Sequence, residues 1–282
     1  MNSWPAPAKL NLFLHVTGQR ADGYHLLQTV FQFVDYGDEL HFRVNNSGLI
    51  HRRSSLPGVD EEQDLVIRAA RLLQQQCGVE AGAEIRLDKR LPLGGGLGGG
   101  SSDAATTLVA LNHLWGTGLN TDELSALGLR LGADVPIFVH GHAAWAEGIG
   151  EQFSPVELPE PWFVVIIPPV VVATAEVFSA ADLIRDAHPI TIRAFLEGKG
   201  CNTLERVVVE RYPEVAKALA WLNGHGQARM TGSGGCVFAS FKDEPEAQRV
   251  LRQIPSEWRG FVARGRNCSP LLERLREAET VQ

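Results

Sequence analysis

Cysteine is scarce and scattered in this 282-residue sequence. Cys77, Cys201, Cys236 and Cys268 form no C-x-x-C pair and stand beside no closely spaced histidines. A zinc site and a disulfide framework are therefore not expected, and reduced thiols in a cytoplasmic protein are. Long apolar runs are also missing. The most apolar stretch, 162–172, is too short for a membrane span and is interrupted by Pro168 and Pro169. Residues 1–10 lack the basic segment followed by an apolar one that marks a secretory signal. Positive charge is in deficit: 26 Lys and Arg against 33 Asp and Glu leave a net charge of −7, which argues against nucleic acid or a membrane surface as partner. No repeat and no low-complexity segment is present. What remains is a composition of 44% hydrophobic and 21% charged residues, that of a globular protein with a buried core. At about 150 residues per domain, the length suits one large domain or two ordinary ones.

Pattern along the chain gives a mixed order of elements. Strands are predicted over 10–16, 29–34 and 39–44, the last two joined by a turn at Tyr36-Gly37-Asp38. Asp64 opens a helix with Leu65, Ala69, Leu72 and Leu73 on one face, and Gly78 closes it. A short strand at 84–87 precedes a long helix from about Ser102 to Trp115, and another helix covers 121–131 with Asn120 or Thr121 as its cap. Pro155, Pro159 and Pro161 suggest a boundary, giving domains 1–155 and 156–282. Strands follow at 162–167, 236–241 and 260–264, and helices at 213–222 and 245–253. This irregular order predicts an α+β fold rather than a regularly wound sheet.

The strongest local signal is Pro92-Leu93-Gly94-Gly95-Gly96-Leu97-Gly98-Gly99-Gly100-Ser101-Ser102, with six glycines in seven positions. Such a run lets the backbone expose successive N–H groups to a ligand without Cβ interference. Placed at the start of a helix, these amides and the dipole make an anion site suited to phosphate. No Gly-Lys-Ser/Thr follows, so this is not a Walker A loop. The alternative, a flexible linker, fits poorly with Leu91, Leu93 and Leu97 punctuating the run. Ser101 and Ser102 can cap the helix, touch a phosphate or meet its metal ion. Asp103 falls in the first helical turn, where the dipole favours a carboxylate.

Three strings together carry a resemblance: Pro7-Ala8-Lys9-Leu10-Asn11-Leu12, the glycine loop, and Thr231-Gly232-Ser233-Gly234-Gly235. They resemble the motifs of the GHMP kinase superfamily. Gly18-Gln19-Arg20-Ala21-Asp22-Gly23-Tyr24-His25, Leu131-Gly132-Ala133-Asp134-Val135-Pro136 and Gly265-Arg266-Asn267-Cys268-Ser269-Pro270 are similar to strings of its branch that acts on a cytidine-diphosphate-linked methylerythritol. The likeness runs from about residue 4 to residue 271. It implies a two-domain α+β GHMP kinase fold, with a ribosomal-S5-domain-2-like N-terminal domain and a ferredoxin-like C-terminal domain. It also implies transfer of the γ-phosphoryl group of ATP to the substrate's 2-hydroxyl, in the non-mevalonate route to isoprenoid precursors. Mg²⁺ is expected mainly on the ATP phosphates, with no metal cage in the protein; Glu147 and Glu151 are further conceivable oxygen ligands. The expected assembly is a monomer or a homodimer.

Phosphoryl transfer needs positioning, charge neutralisation and a group to orient or deprotonate the attacking hydroxyl. Asp134 sits between small and apolar residues, where a carboxylate needs a cationic partner; it is the candidate base, or else a helix cap before Pro136. Lys9, in an otherwise apolar run, is the natural partner, or else an edge-strand lysine reaching solvent. Asn11, two residues on and on the same strand face, would contact the acceptor. By resemblance, Tyr24, His25 and Phe178 would hold the cytosine and Thr174 would lie near the substrate; Phe178 could equally be core. Lys89 would lie near the nucleotide or at an exposed strand end. Asp64 departs from the asparagine frequent in the related enzymes near the adenosine, and it can cap its helix instead. The 231–235 run would approach the phosphates, close the cleft or form a plain turn. Two other readings stay open: a GHMP kinase for homoserine, mevalonate or a sugar, and a catalytically silent nucleotide-binding protein. Asp22-Gly23-Tyr24-His25 speaks against the first, because a small acceptor has no base to stack. The presence of both Lys9 and Asp134 speaks against the second.

Overall fold

The computed structural model describes residues 2–54 and 59–280. Through the first 45 residues the chain reverses once, at 20–24, where Asp22 Oδ1 accepts from Tyr24 N–H and Gly23 takes φ +90°. The flanking segments are β1 (Asn2–Gln19) and β2 (His25–Asn45), antiparallel along nearly their whole length. The turn expected at Tyr36-Gly37-Asp38 is absent; β2 continues through it, with a bulge between Phe33 and Gly37 where the pairing passes from Lys9–Phe33 to Pro7–Gly37. Gly37 lies opposite Pro7, and a Cβ there would stand 2.1 Å from the Ala6 carbonyl oxygen. Glycine is required at this point because another backbone passes close by, not because the chain turns.

Then follow β3 (Ile50–Arg52), α1 (Leu65–Cys77), β4 (Gly82–Asp88), α2 (Gly99–Trp115), α3 (Thr121–Leu129) and α4 (Val135–His140). After these come β5 (Ala144–Glu147), β6 (Gln152–Pro155), β7 (Trp162–Ile167), α5 (Thr174–Phe178), α6 (Ile192–Leu196), α7 (Glu205–Arg211) and α8 (Pro213–Asn223). The chain ends with β8 (Arg229–Met230), β9 (Val237–Phe241), α9 (Glu244–Leu251), β10 (Arg259–Arg266) and α10 (Pro270–Thr280). The local chemistry explains the helix ends. Asp64 accepts from Val66 N–H at the start of α1, and Gly78 closes that helix in the left-handed region. Asn120 and Glu123 form a reciprocal capping box on α3, which settles its cap on Asn120. The short elements β3, β5, β6, β8 and α4 to α7 carry too few residues for a period to be read from sequence.

The strands lie in the order β3-β4-β2-β10-β7-β9-β8, with β1 along β2 and the β5–β6 hairpin on the first part of β2. Strand β10 pairs with β7 over most of its length and reaches β2 at Gly265 and Arg266, so it joins the two ends of the sheet. One core gathers Trp4, Phe33, Phe42, Leu73, Leu108 and Phe138 from the first half, together with Leu271 of α10. A second gathers Val164, Ile166, Val208, Leu222 and Met230. A third, containing Ala8, Leu10, Leu91, Leu97, Phe163 and Phe238, ties β1 and the glycine loop to β7 and β9. No helix among the described residues is long and apolar enough to cross a membrane. The four cysteines are free, and burial pushes the Cys236 thiol up to about 12.

Gly37→Ala is expected to lower stability by about 1–3 kcal/mol through overpacking. Urea unfolding should show a lower midpoint at an unchanged slope; an unchanged midpoint would mean that β1 yields at this crossing.

Candidate active site

Residues two apart on a strand share a face, so β1 presents Lys9 and Asn11 together. Both side chains are buried, Lys9 at 3% exposure. Lys9 Nζ stands 3.4 Å from Asp134 Oδ2, donates to Asn11 Oδ1, and lies 5.2 Å from the centre of the Phe31 ring. Asn11 is held in turn: its Nδ2 donates to Thr29 Oγ1 at 2.9 Å, and its backbone N–H donates to Thr231 Oγ1 at 3.0 Å. Asp134 occupies the N-cap position of α4, yet its side chain makes no capping bond there. The carboxylate faces Lys9 and is 40% exposed.

The glycine loop packs against these residues. Gly94, Gly96 and Gly98 all have φ near +70°, so left-handed residues alternate along the loop, a form that turns successive N–H groups into one anion-binding concavity. Helix α2 begins at Gly99, three residues before the expected start, and Ser102 N–H already donates to Gly98 O at 2.8 Å. The loop is fixed by backbone bonds: Lys9 N–H donates to Leu97 O at 3.0 Å and Cys236 N–H to Gly95 O at 3.1 Å. A Cβ on Gly96 would stand 2.1 Å from Thr231 O. The three strings around Lys9, the loop and 231–235 thus meet at one place.

Between them lies a cavity of about 490 Å³. Of the predicted residues, Lys9, Asn11, Pro92, Leu93, Gly94, Gly95, Gly96, Gly98, Gly99, Gly100, Ser101, Asp134, Thr174 and Phe178 line it. Thr29, Leu65, Ala133, Gly232 and Ser233 line it as well, and Ser233 Oγ is hydrogen-bonded to Thr174 Oγ1 at 2.6 Å.

The family model "GHMP kinases N terminal domain" matches residues 64–142, and "GHMP kinases C terminal" matches residues 180–260. The chain belongs to the GHMP kinase family. It is a phosphotransferase that uses ATP, and its α+β fold is the two-domain GHMP kinase fold. A relative from Nitrosococcus oceani named 4-diphosphocytidyl-2-C-methyl-D-erythritol kinase is 59% identical over 96% of this chain and 97% of its own. A second of the same name, from Alkalilimnicola ehrlichii, is 59% identical over 97% of this chain and 94% of its own. A crystal structure of a 4-(cytidine 5'-diphospho)-2C-methyl-D-erythritol kinase superposes with a TM-score of 0.83 at 34% identity, covering 94% of this chain and 99% of that one.

Several predicted residues of this GHMP kinase do not line the cavity. Leu97 is buried in the third core, where it anchors the loop. The Ser102 hydroxyl is fully buried and donates to Pro7 O at 2.7 Å. Asp64 caps α1 and pairs with the buried Arg52 at 2.7 Å. Lys89 is not an exposed strand end: its ammonium donates to Asp38 Oδ2 at 2.6 Å and Asp103 Oδ2 at 2.7 Å. Tyr24 is 57% exposed and stands outside the lining. His25 also lies outside it, with its ring 5.1 Å from that of Phe178. Sequence reasoning missed Thr29 and Arg185, whose Nε donates to His25 Nε2 at 3.1 Å. Only the β1–β2 register shows the first, and only a contact across 160 residues shows the second. Glu147 accepts from Gln28 and Glu151 from Ile149 N–H. Among the described residues the one histidine–carboxylate cluster with metal-ligand spacing, Glu39, His41 and Asp88, is separate from this cavity.

The Lys89 cluster lies directly behind the start of α2. Burial alone would lower the Lys89 ammonium, but the carboxylates of Asp103 and Asp38 outweigh it and hold it above its ordinary value. Burial pushes the Asp103 carboxyl up to about 7, against the pull of Lys89. Its Oδ1 is buried and unpartnered. A carboxyl raised in the folded state keeps a proton that the unfolded chain releases, so stability falls as pH rises from its ordinary 3.8 towards about 7. Asp103→Asn, uncharged throughout, should remove that fall. Urea unfolding of both proteins at several pH values checks this; equal slopes would refute a raised Asp103.

Proposed function

We propose that this GHMP kinase transfers the γ-phosphoryl group of ATP to the 2-hydroxyl of 4-diphosphocytidyl-2-C-methyl-D-erythritol, in the non-mevalonate route to isoprenoid precursors. The observation that carries the reading is the Lys9–Asp134 pair facing the glycine loop across one cavity. Identity of 59% to relatives of that name supports the choice of acceptor.

In this reading the amides of 94–101 and the positive end of α2 take the ATP phosphates. Asp134, half in solvent, accepts a hydrogen bond from the attacking hydroxyl and draws off its proton. Lys9, buried beside it, offsets the charge that develops on the attacking oxygen. Asn11, locked by Thr29 and Thr231, holds the erythritol portion in line. His25 and Phe178 form the cytosine side, Thr174 adjoins it, and Tyr24 lies at its outer edge. Lys89, Asp38 and Asp103 support the loop from behind. Asp64 is committed to its cap and to Arg52, so the adenosine is held by other groups. We place the domain boundary near residue 155, with Thr174, Phe178 and the 231–235 run brought to the cavity by the second domain.

The cavity offers hard oxygen donors, the Ser101 hydroxyl and the Asp134 carboxylate, which suit Mg²⁺ but are too few to cage it. Ser101 is the side chain we assign to it, since the Ser102 hydroxyl is already bonded. Bound with ATP, the ion neutralises phosphate charge.

Asp134→Ala should lower kcat by about 10²–10⁴ while ATP affinity, measured by calorimetry, is kept. Turnover near the wild-type rate would remove Asp134 from the chemistry. ADP release should appear with the cytidine-linked methylerythritol and stay at background with homoserine or mevalonate. Release with either of those alone would sink the proposed acceptor.

A further inference from the structure

One contact at the cytosine side has no part in the chemistry described so far. His25 opens β2 and Phe178 ends α5, with their rings 5.1 Å apart. Arg185 ties the two together. Its Nη2 donates to the carbonyls of Phe178 at 3.0 Å and Ala180 at 2.8 Å, its Nη1 to Leu183 O at 3.2 Å, and its Nε to His25 Nε2 at 3.1 Å. Three carbonyls therefore fix the guanidinium before it meets the imidazole.

A guanidinium has donors only and does not lose its proton in proteins. Nε2 of His25 must therefore be the accepting nitrogen, with its lone pair engaged. The single ring proton is left on Nδ1, because a proton on Nε2 would set two donors face to face. We infer that Arg185 is a positioning residue that fixes His25 as the neutral Nδ1–H tautomer, so that the imidazole is a constant hydrogen-bond donor for the accepting edge of a pyrimidine base. The pyrimidine part of this inference rests on the function proposed above. The tautomer part does not. Burial lowers the His25 pKa, and the Arg185 charge lowers it further, both favouring the neutral ring. The same guanidinium holds the Phe178 carbonyl, so the apolar face and the donor move as one unit.

The test combines a spectrum with kinetics. In protein carrying ¹⁵N-imidazole histidine, the wild-type His25 signal should show a protonated Nδ1 and a bare Nε2. Arg185→Met keeps the apolar stem and removes the donors. It should return the proton to Nε2 in most molecules and raise KM for the cytidine-linked substrate up to about tenfold, the upper scale of one neutral hydrogen bond. KM for ATP should stay within about twofold, and Arg185→Lys should recover part of the loss. A wild-type proton on Nε2, or the same tautomer in Arg185→Met, would overturn the inference. Equal rises in both KM values with a matching loss of thermal stability would reduce Arg185 to a structural staple and overturn it too. The spectrum needs no substrate. If the wild type fails to turn over the cytidine-linked compound, the proposed function falls while the tautomer is still judged on its own signal.

Discussion

A lysine ammonium at 3% exposure is the constraint around which the site is arranged. Buried charge is tolerated only with a partner and with hydrogen bonds for the remaining protons. Asp134 supplies the first, and Asn11 the second. Meeting that demand costs α4 a side-chain cap, because the residue at its N-cap faces Lys9 instead of its own backbone. The arrangement is asymmetric in a useful way. Lys9 is sealed in, whereas Asp134 is 40% exposed and lines the cavity. A carboxylate oriented from one side and open on the other can meet a substrate hydroxyl without first breaking its own support.

The glycine loop is flexible by composition and fixed by context. Its conformational freedom is removed by bonds from Lys9 N–H, Cys236 N–H and the Thr231 hydroxyl to three of its carbonyls, and by Leu97 in the core. Holding the carbonyls outward on protein partners leaves amides free for an anion, which is pre-organisation rather than adaptability. Lys89 behind the loop adds little positive field of its own, since its ammonium is bonded to Asp38 at 2.6 Å and to the raised carboxyl of Asp103 at 2.7 Å. An anion held there would therefore meet backbone dipoles rather than the lysine of a Walker A loop, since no Gly-Lys-Ser/Thr follows the glycines.

What was legible in the sequence was local. Asp64, Gly78 and Asn120 announce helix ends because a cap is decided within four residues. The glycine loop was legible because its composition is costly without a purpose; Lys9 and Asp134 each stood out as a charge among apolar or small residues, and the family resemblance joined them across the chain. The errors arise where a distant segment decides. Gly37 looked like a turn and is a crossing point for Ala6 and Pro7. Ser102 looked free for a ligand, but Pro7 O, 95 residues away, takes its hydroxyl. Asp64, a departure from the related enzymes, was left with an uncertain ribose contact until Arg52 appeared beside it. Thr29 and Arg185 carry no local mark, since each matters only through one residue that the fold brings to it.

Strand β1 shows why the catalytic geometry and the fold cannot be separated. Lys9 and Asn11 face the cavity, while Ala8 and Leu10 on the opposite face belong to the core that joins the two halves of the molecule. Alternation from Ala8 to Asn11, between irregularities at Pro7/Lys9 and Asn11/Phe13, puts neighbours on opposite faces, so a slip of one residue would exchange the two sets and bury the wrong ones. The same packing that fastens β1 to β7 and β9 therefore sets the position of the ammonium relative to the loop. The side of the cavity beside Phe178 is built differently. His25 and Phe178 come from opposite halves; Phe178 is only partly buried at the margin of the second core, and one guanidinium ties it to His25. A close-packed core resists displacement more than a few hydrogen bonds near the surface do. Displacement is therefore expected first at the end of α5, at Phe178, and at Arg185, rather than at the glycine loop and the Lys9–Asp134 pair.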